Sequence, residues 1–409
     1  MIGLQTRVHA ALDWSEAALR LAVSEPAGLD LSALEAPAEK IVAEVAIFLR
    51  EVSECPVADL RLRALSMARC LEPLARNPRV GAALALRPAV ARDVSVGHVL
   101  LAAMGVTDSA FSACLARSVA SPFAGSRERV PYRELEQDWL AALSEGRGLQ
   151  SQAVRRTALV TGLDLLGANR DDLYGLTHAI AYATDFGRWA LPPEVSAQSV
   201  LCFADSALAN VLDADDFDLA AELVLAWPCL GSPLSPTAAF ALTVMTRVED
   251  AAGVLPSFGL QRDAITRQPE ALRKDYVTAV SYHTALVMGL ACSTLLRCAP
   301  GIAPPQLLAP GHRDFAANLL AALRSDTRHR QWMADAAGLA PPGLAALAPF
   351  LLDVALVRAV RVLDFAGARQ HLADAVAAGI ALSPLALQTA QMLARIAASA
   401  DVLGPAAVA

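Results

Sequence analysis

The sequence predicts an all-α protein, and three observations carry that expectation. Hydrophobic residues fill 55% of the 409 positions while aromatic residues fill only 5%, so the apolar mass is alanine and leucine, strong helix formers, rather than the residues that strands favour. Apolar residues recur at three- and four-residue spacing along most of the chain, the period of a helix with one buried face. Clusters of Gly, Pro, Ser and Asp interrupt that period often enough for about fifteen helices, the rhythm of a multi-helix α/α toroid or an α-solenoid-like assembly.

Helices are expected over residues 5–22, 38–52, 57–74, 96–103, 109–118, 132–143, 152–166, 170–187, 193–212, 216–227, 236–249, 269–298, 311–324, 341–362, 365–378 and 384–398. Ser235-Pro236 and Ser383-Pro384 mark two of the starts, each a capping hydroxyl before a proline at the first helical position. In the 170–187 helix, Asn169 is a cap, Asp171 and Asp172 complement the dipole of the first turn, and Gly187 with Pro192-Pro193 ends it. Residues 121–131 and 253–269 lack periodicity and read as loops. The first loop divides an N-terminal helical portion, 1–120, from a main helical domain, 132–409, with one continuous assembly as the alternative.

Composition also excludes partners. The charged fraction of 18% lies below the ~25% of an average soluble domain, so much of the chain is buried between helices. A net charge of −7 offers no basic field for phosphate backbones, and no nucleic-acid partner is expected. The seven cysteines contain no CxxC and read as small core residues of a reducing compartment. Residues 1–16 carry Arg7, Asp13 and Glu16 without an apolar run or cleavage site, which excludes a secretory signal and predicts a cytoplasmic location. From Tyr276 to Leu296 no residue is charged, a length that spans a bilayer. Its many Ser, Thr and Tyr residues instead predict a helix enclosed by other helices, and no membrane association.

Two constellations point to chemistry. On the 170–187 helix, Tyr174, His178, Tyr182 and Asp185 fall at i, i+4, i+8 and i+11, one polar stripe that Trp189 extends if the helix continues. Such a stripe lines a cavity with His178 as acid/base or metal ligand and Asp185 as its partner; the plainer reading is a satisfied helix junction. On the uncharged helix, Tyr276 and His283 share a face, with Tyr282 and Thr284 beside the histidine. If the two helices pack together, His178 and His283 face one cavity.

The motifs Thr177-His178-Ala179 with Tyr182-Ala183-Thr184-Asp185-Phe186-Gly187, and Tyr282-His283-Thr284-Ala285 with Met288-Gly289, resemble the hallmark of an uncharacterised family of actinobacterial helical proteins. The resemblance covers about residues 150 to 300 and implies no particular reaction.

Weaker signals are set aside. Asp213-Ala214-Asp215-Asp216 matches the DxDD string of class II terpene cyclases, but acidic residues there more often cap the next helix. Trp227-Pro228-Cys229-Leu230-Gly231 is similar to the cysteine turn of lanthionine cyclases without the companion Cys-His pair, so Cys229 reads as a buried turn residue. His9 and Asp13 read as a surface pair, and Arg127, Arg129 and Arg133 as a solvated face. No Walker A, GxGxxG, HExxH or GxSxG motif is present.

The leading expectation is an all-α enzyme, a cyclase or lyase of specialised metabolism. Its cavity lies between the 170–187 and 272–298 helices, with His178, Asp185 and His283 catalytic and Tyr174, Tyr182, Tyr282 and Trp189 binding a small-molecule or peptide substrate. The sequence names no metal and no cofactor, and it leaves a homo-oligomer open. The alternatives are a non-catalytic helical-repeat protein that holds a partner chain and an α/α-toroid cyclase of terpenoid or peptide type.

Overall fold

The computed structural model describes residues 3–23, 38–298, 310–325 and 330–399, and every regular element among them is a helix. The interior is framed by α1 (Leu4–Val23), α2 (Ala38–Ser53), α3 (Pro131–Glu145), α4 (Arg170–Thr184), α5 (Ala197–Asp213), α6 (Phe217–Val224), α7 (Pro236–Ala252), α8 (Arg273–Cys298), α9 (Ala348–Arg361), α10 (Phe365–Ala377) and α11 (Pro384–Ala398).

Local chemistry explains the boundaries. Asn169 accepts from the Asp171 and Asp172 amides while Asp172 accepts from the Asn169 amide, a reciprocal cap that starts α4. Ser235 and Ser383 cap α7 and α11 with proline following, as their sequences require. The 152–166 helix breaks in two, because Thr157 turns extended and gives its hydroxyl to the Val154 carbonyl, and Gly162 adopts φ 76°. The 341–362 helix breaks at Leu347, near Pro349, which has no N–H to carry the ladder through. Pro193 does not open α5; Ser196 caps it instead. The 253–269 loop contains a short helix, Arg262–Arg267, and a further helix, Pro78–Leu86, starts on the Asn77 cap.

The N-terminal portion shares its core with the rest of the chain. Helix α1 lies along α8 in the most extensive helix pair of the structure, α2 packs on the same helix, and one continuous apolar cluster runs from Val8 to Leu393. Gly289 makes the α8 contact: a Cβ there would lie 2.2 Å from the Ala11 Cβ and 2.9 Å from the Phe48 ring. The segment Glu270–Cys298 is long and apolar enough to cross a membrane, yet 78% of its apolar window is buried within the protein. The enclosed position expected of the uncharged helix is observed.

A duplication emerges that the amino-acid pattern hides. Residues 205–238 and 353–386 align at a constant offset, with 11 identities in 34 positions that include Asp205/Asp353, Asp216/Asp364, Phe217/Phe365, Gly231/Gly379 and Ser235-Pro236/Ser383-Pro384. The backbone repeats at the same offset. Asp215 and Leu363 both adopt positive φ, 55° and 60°; Asp216 and Asp364 both cap the next helix; Gly231 and Gly379 are both left-handed. The units α5–α6–α7 and α9–α10–α11 are therefore two copies of one three-helix motif, and α5 packs on α9. Arg361 donates to Asn210, and Arg358 forms a buried ion pair with Asp213, which also accepts from Trp332.

Each copy places an aspartate behind its Ser-Pro cap, Asp205 half-buried and Asp353 buried. Ser235 donates to Asp205 at 2.5 Å, and Ser383 donates to Asp353. Burial pushes both carboxyls up to about 7, only partly offset by those serines, and the charge on Asp205 further raises Asp353. The native state therefore holds protons that the unfolded chain, with carboxyls near 4, has released. The contribution of these groups to stability falls as pH rises from about 4 to about 7 and is flat above. Urea unfolding of Asp353→Asn is expected to show a shallower decline over that window and a higher midpoint at pH 8 than the unaltered chain. An unchanged profile would remove Asp353 from this role.

Candidate active site

Helices α4 and α8 form two walls of a cleft that α2, α3 and α6 complete. It has two lobes, of about 320 Å³ and 340 Å³, and Lys40, Glu44, Arg133, His178 and His283 line both. The first lobe is mainly apolar, with Ile47, Val96, Ala181, Phe186, Leu225 and Leu286 in its wall. The second carries polar groups from Tyr132, Arg170, Tyr174 and Ser257. His178 and His283 thus share one cavity.

The imidazole of His178 sits among three phenol rings, with centroids 5.3 Å from Tyr132, 5.9 Å from Tyr174 and 5.7 Å from Tyr182. Its Nδ1 lies 2.8 Å from the Tyr174 carbonyl oxygen. A carbonyl only accepts, so Nδ1 carries a proton, and the tautomer this contact selects has its lone pair on Nε2. Nδ1 is also 3.7 Å from Glu222 Oε2, which accepts from Thr177 at 2.5 Å.

His283 Nδ1 lies 2.8 Å from Asp218 Oδ1, and Thr284 donates to the same oxygen at 2.9 Å. The other Asp218 oxygen accepts from Tyr174. On its far side, His283 Nε2 faces Glu44 Oε1 at 3.7 Å, and Glu44 Oε2 accepts from Tyr282 at 2.8 Å. Burial alone would lower the imidazolium, but the carboxylates of Asp218 and Glu44 outweigh it and raise His283 to about 10. Burial works in the opposite sense on Asp218; His283 and the hydrogen-bond donors outweigh it and hold the carboxyl below its ordinary range. Glu222, also buried, is raised, with His178 only partly compensating.

Two expected site residues lie elsewhere. Helix α4 ends at Thr184, and Asp185, Phe186 and Gly187 follow with φ of 46°, 55° and 90°. Three left-handed residues in a row turn the chain away, so the i+11 position never reaches the stripe. Asp185 instead makes a buried bidentate pair with Arg50, at 2.6 and 2.7 Å, and accepts from Trp139 Nε1 at 2.7 Å. Its service to the cavity is indirect, since the turn it anchors sets Phe186 in the apolar lobe. Trp189, beyond the turn, packs partly buried on the core and does not line the cleft. Tyr174, Tyr182 and Tyr282 do line it, with Tyr182 donating to Glu136 and Glu136 paired to Arg133. Arg133 is thus part of the cleft rather than only a solvated face.

The set-aside motifs are accounted for. Asp213 pairs with Arg358, Asp215 with Arg330, and Asp216 caps α6 while pairing with Arg170; none of the three lines the cavity. Cys229 is buried, its thiol pushed up by that burial, with its backbone against Gly187. His9 pairs with Asp59 at the surface, whereas Asp13 pairs with Arg63.

Residues 8–293 match the sequence profile of a domain family described as Domain of unknown function (DUF6895). The chain belongs to the DUF6895 family. The DUF6895 match takes in every residue that lines the cleft and the first copy of the duplicated unit, and it ends before the second copy. No curated protein and no solved structure matches the chain.

Sequence reasoning alone passed over Asp218, Glu222 and Glu44. For the first two a signal existed: two carboxylates four residues apart, one turn of helix, inside the otherwise apolar run Phe217–Leu225 of this DUF6895 chain. Glu44 lies on α2, far away in sequence, and only packing reveals it.

Proposed function

We propose that this chain is an enzyme that binds a small molecule with an apolar body and a polar end in the cleft, and that performs proton-transfer chemistry of the elimination or cyclisation type on it. The apolar lobe takes the body, and Lys40, Arg133 and Arg170 at the polar lobe meet the other end. His178 accepts the proton through Nε2, held in that tautomer by the Tyr174 carbonyl. A cytoplasmic location and a place in specialised metabolism accord with this reading.

One observation carries it. Asp218 and Glu222 are buried carboxylates aligned on the cavity, whereas their equivalents in the duplicate, Ala366 and Gln370, face solvent. The first copy thus buries two carboxylates at a cavity where the second has none to line, and buried carboxylates with perturbed protonation cluster at functional sites.

Glu222→Gln, which installs the residue of the second copy, tests this directly. Its melting temperature is expected to equal or exceed that of the unaltered chain, because a buried charge is removed. The chain is expected to rise in melting temperature with fractions of a metabolite extract, and Ala181→Trp, which fills the apolar lobe, should abolish that rise. A drop of many degrees in Glu222→Gln, or extract shifts that survive Ala181→Trp, would favour a structural role and a helical-repeat binding protein.

A further inference from the structure

We infer that Asp218, Glu222 and His283 form a binding site for a borderline divalent metal ion such as Zn²⁺ or Mn²⁺, opening onto the cleft. One ligand atom from each residue lies within 4.8 Å of the others. Asp218 Oδ1 and His283 Nδ1, 2.8 Å apart, share the imidazole proton that a metal ion displaces on binding, and metal–ligand bonds of ~2.1 Å set at or near a right angle place two donors about 3 Å apart. One imidazole nitrogen and two carboxylates suit Zn²⁺, Mn²⁺ or Fe²⁺ better than Mg²⁺ or Ca²⁺. Three protein ligands leave positions free for water or for a group on the bound molecule.

The surroundings are those of an oriented site rather than of an acidic patch. Tyr174 and Thr284 donate to Asp218, and Thr177 donates to Glu222, so both carboxylates are fixed by hydroxyls. Glu44 faces Nε2 of His283 at 3.7 Å, beyond hydrogen-bond length but on the side where a carboxylate supports the basicity of a metal-bound imidazole. The two carboxylates and the ring come from α6 and α8, whose packing brings them together. Metal binding itself does not depend on the enzymatic reading; its use as a Lewis acid does.

The test is metal content by mass spectrometry and Zn²⁺ titration of the full chain after chelator treatment, with Co²⁺ absorption to report the ligand field. The unaltered chain is expected to bind about one equivalent. The double variant Asp218→Ala/Glu222→Gln is expected to stay folded by circular dichroism and to bind roughly 100-fold more weakly or worse, as is His283→Ala. Equal binding by folded double variant and unaltered chain, or no binding by the unaltered chain, overturns the proposal. If metal is absent while extract ligands still bind in the cleft, the metal site falls and the substrate pocket stands. If metal binds stoichiometrically and no ligand fraction does, the site stands and the substrate pocket falls.

Discussion

Asp185→Ala is expected to lower unfolding stability by about 3–5 kcal/mol, the range for removing one partner of a buried ion pair. The loss comes less from the missing contact than from what it leaves behind. Arg50 is almost fully buried, its two terminal nitrogens are aimed at Asp185, and its nearest other carboxylate, Glu51, lies 3.9 Å away. Glu51 is in any case engaged by Arg188 and Arg297. Trp139 also loses the acceptor for its indole N–H. Urea unfolding of Asp185→Ala, Arg50→Gln and the double variant Arg50→Gln/Asp185→Ala forms the check, and the double variant is expected to be more stable than Asp185→Ala. Strict additivity would show that the two groups do not act as a pair. Because the same turn sets Phe186, Asp185→Ala should also weaken whatever binds in the apolar lobe.

Gly289→Val is expected to cost roughly 3 kcal/mol or more, at or above the usual range for overpacking. Even an alanine Cβ would sit 2.2 Å from the Cβ of Ala11, an atom on backbone that has no rotamer to retreat into. Helix propensity would gain about 1 kcal/mol from losing a mid-helix glycine, so steric conflict and propensity act in opposite directions and the conflict wins. A milder pair isolates the cause. Gly289→Ala alone should be destabilised, and Ala11→Gly added to it should restore part of the loss. A Gly289→Ala chain as stable as the original would mean that α1 and α8 separate at little cost.

Much of the fold was legible because helices announce themselves locally. The alanine and leucine content, the period of the apolar positions and the Ser-Pro starts depend on residues a few places apart, and the starts of α4, α7 and α11 follow from them. That His178 and His283 line one cavity was only a conditional expectation, because a polar stripe and an uncharged helix each require an enclosed neighbour but do not say which one. What failed was extrapolation through a helix end. Asp185 was placed on the stripe by continuing the 3.6-residue period past Thr184, and two non-glycine residues with positive φ deny that continuation. The duplication was masked because its matches are scattered among alanines and leucines that would match by chance. Only the repeated backbone features, the left-handed residue before each Asp cap and the glycine before each Leu-Ser-Pro, separate it from composition. Glu44 and Glu51 were out of reach, since their partners lie on helices that nothing local connects to α2.

The contact between α1 and α8 has a consequence in time. During synthesis α1 is made well before α8, and the helix that gives Val8, Ala11 and Leu12 their main cover in the folded chain follows about 280 residues later. At ordinary rates of elongation that interval is tens of seconds. The apolar stripe of α1 therefore spends it in provisional contacts or in the hands of a chaperone, and the native cleft, walled by α8, closes only once α8 itself has been made.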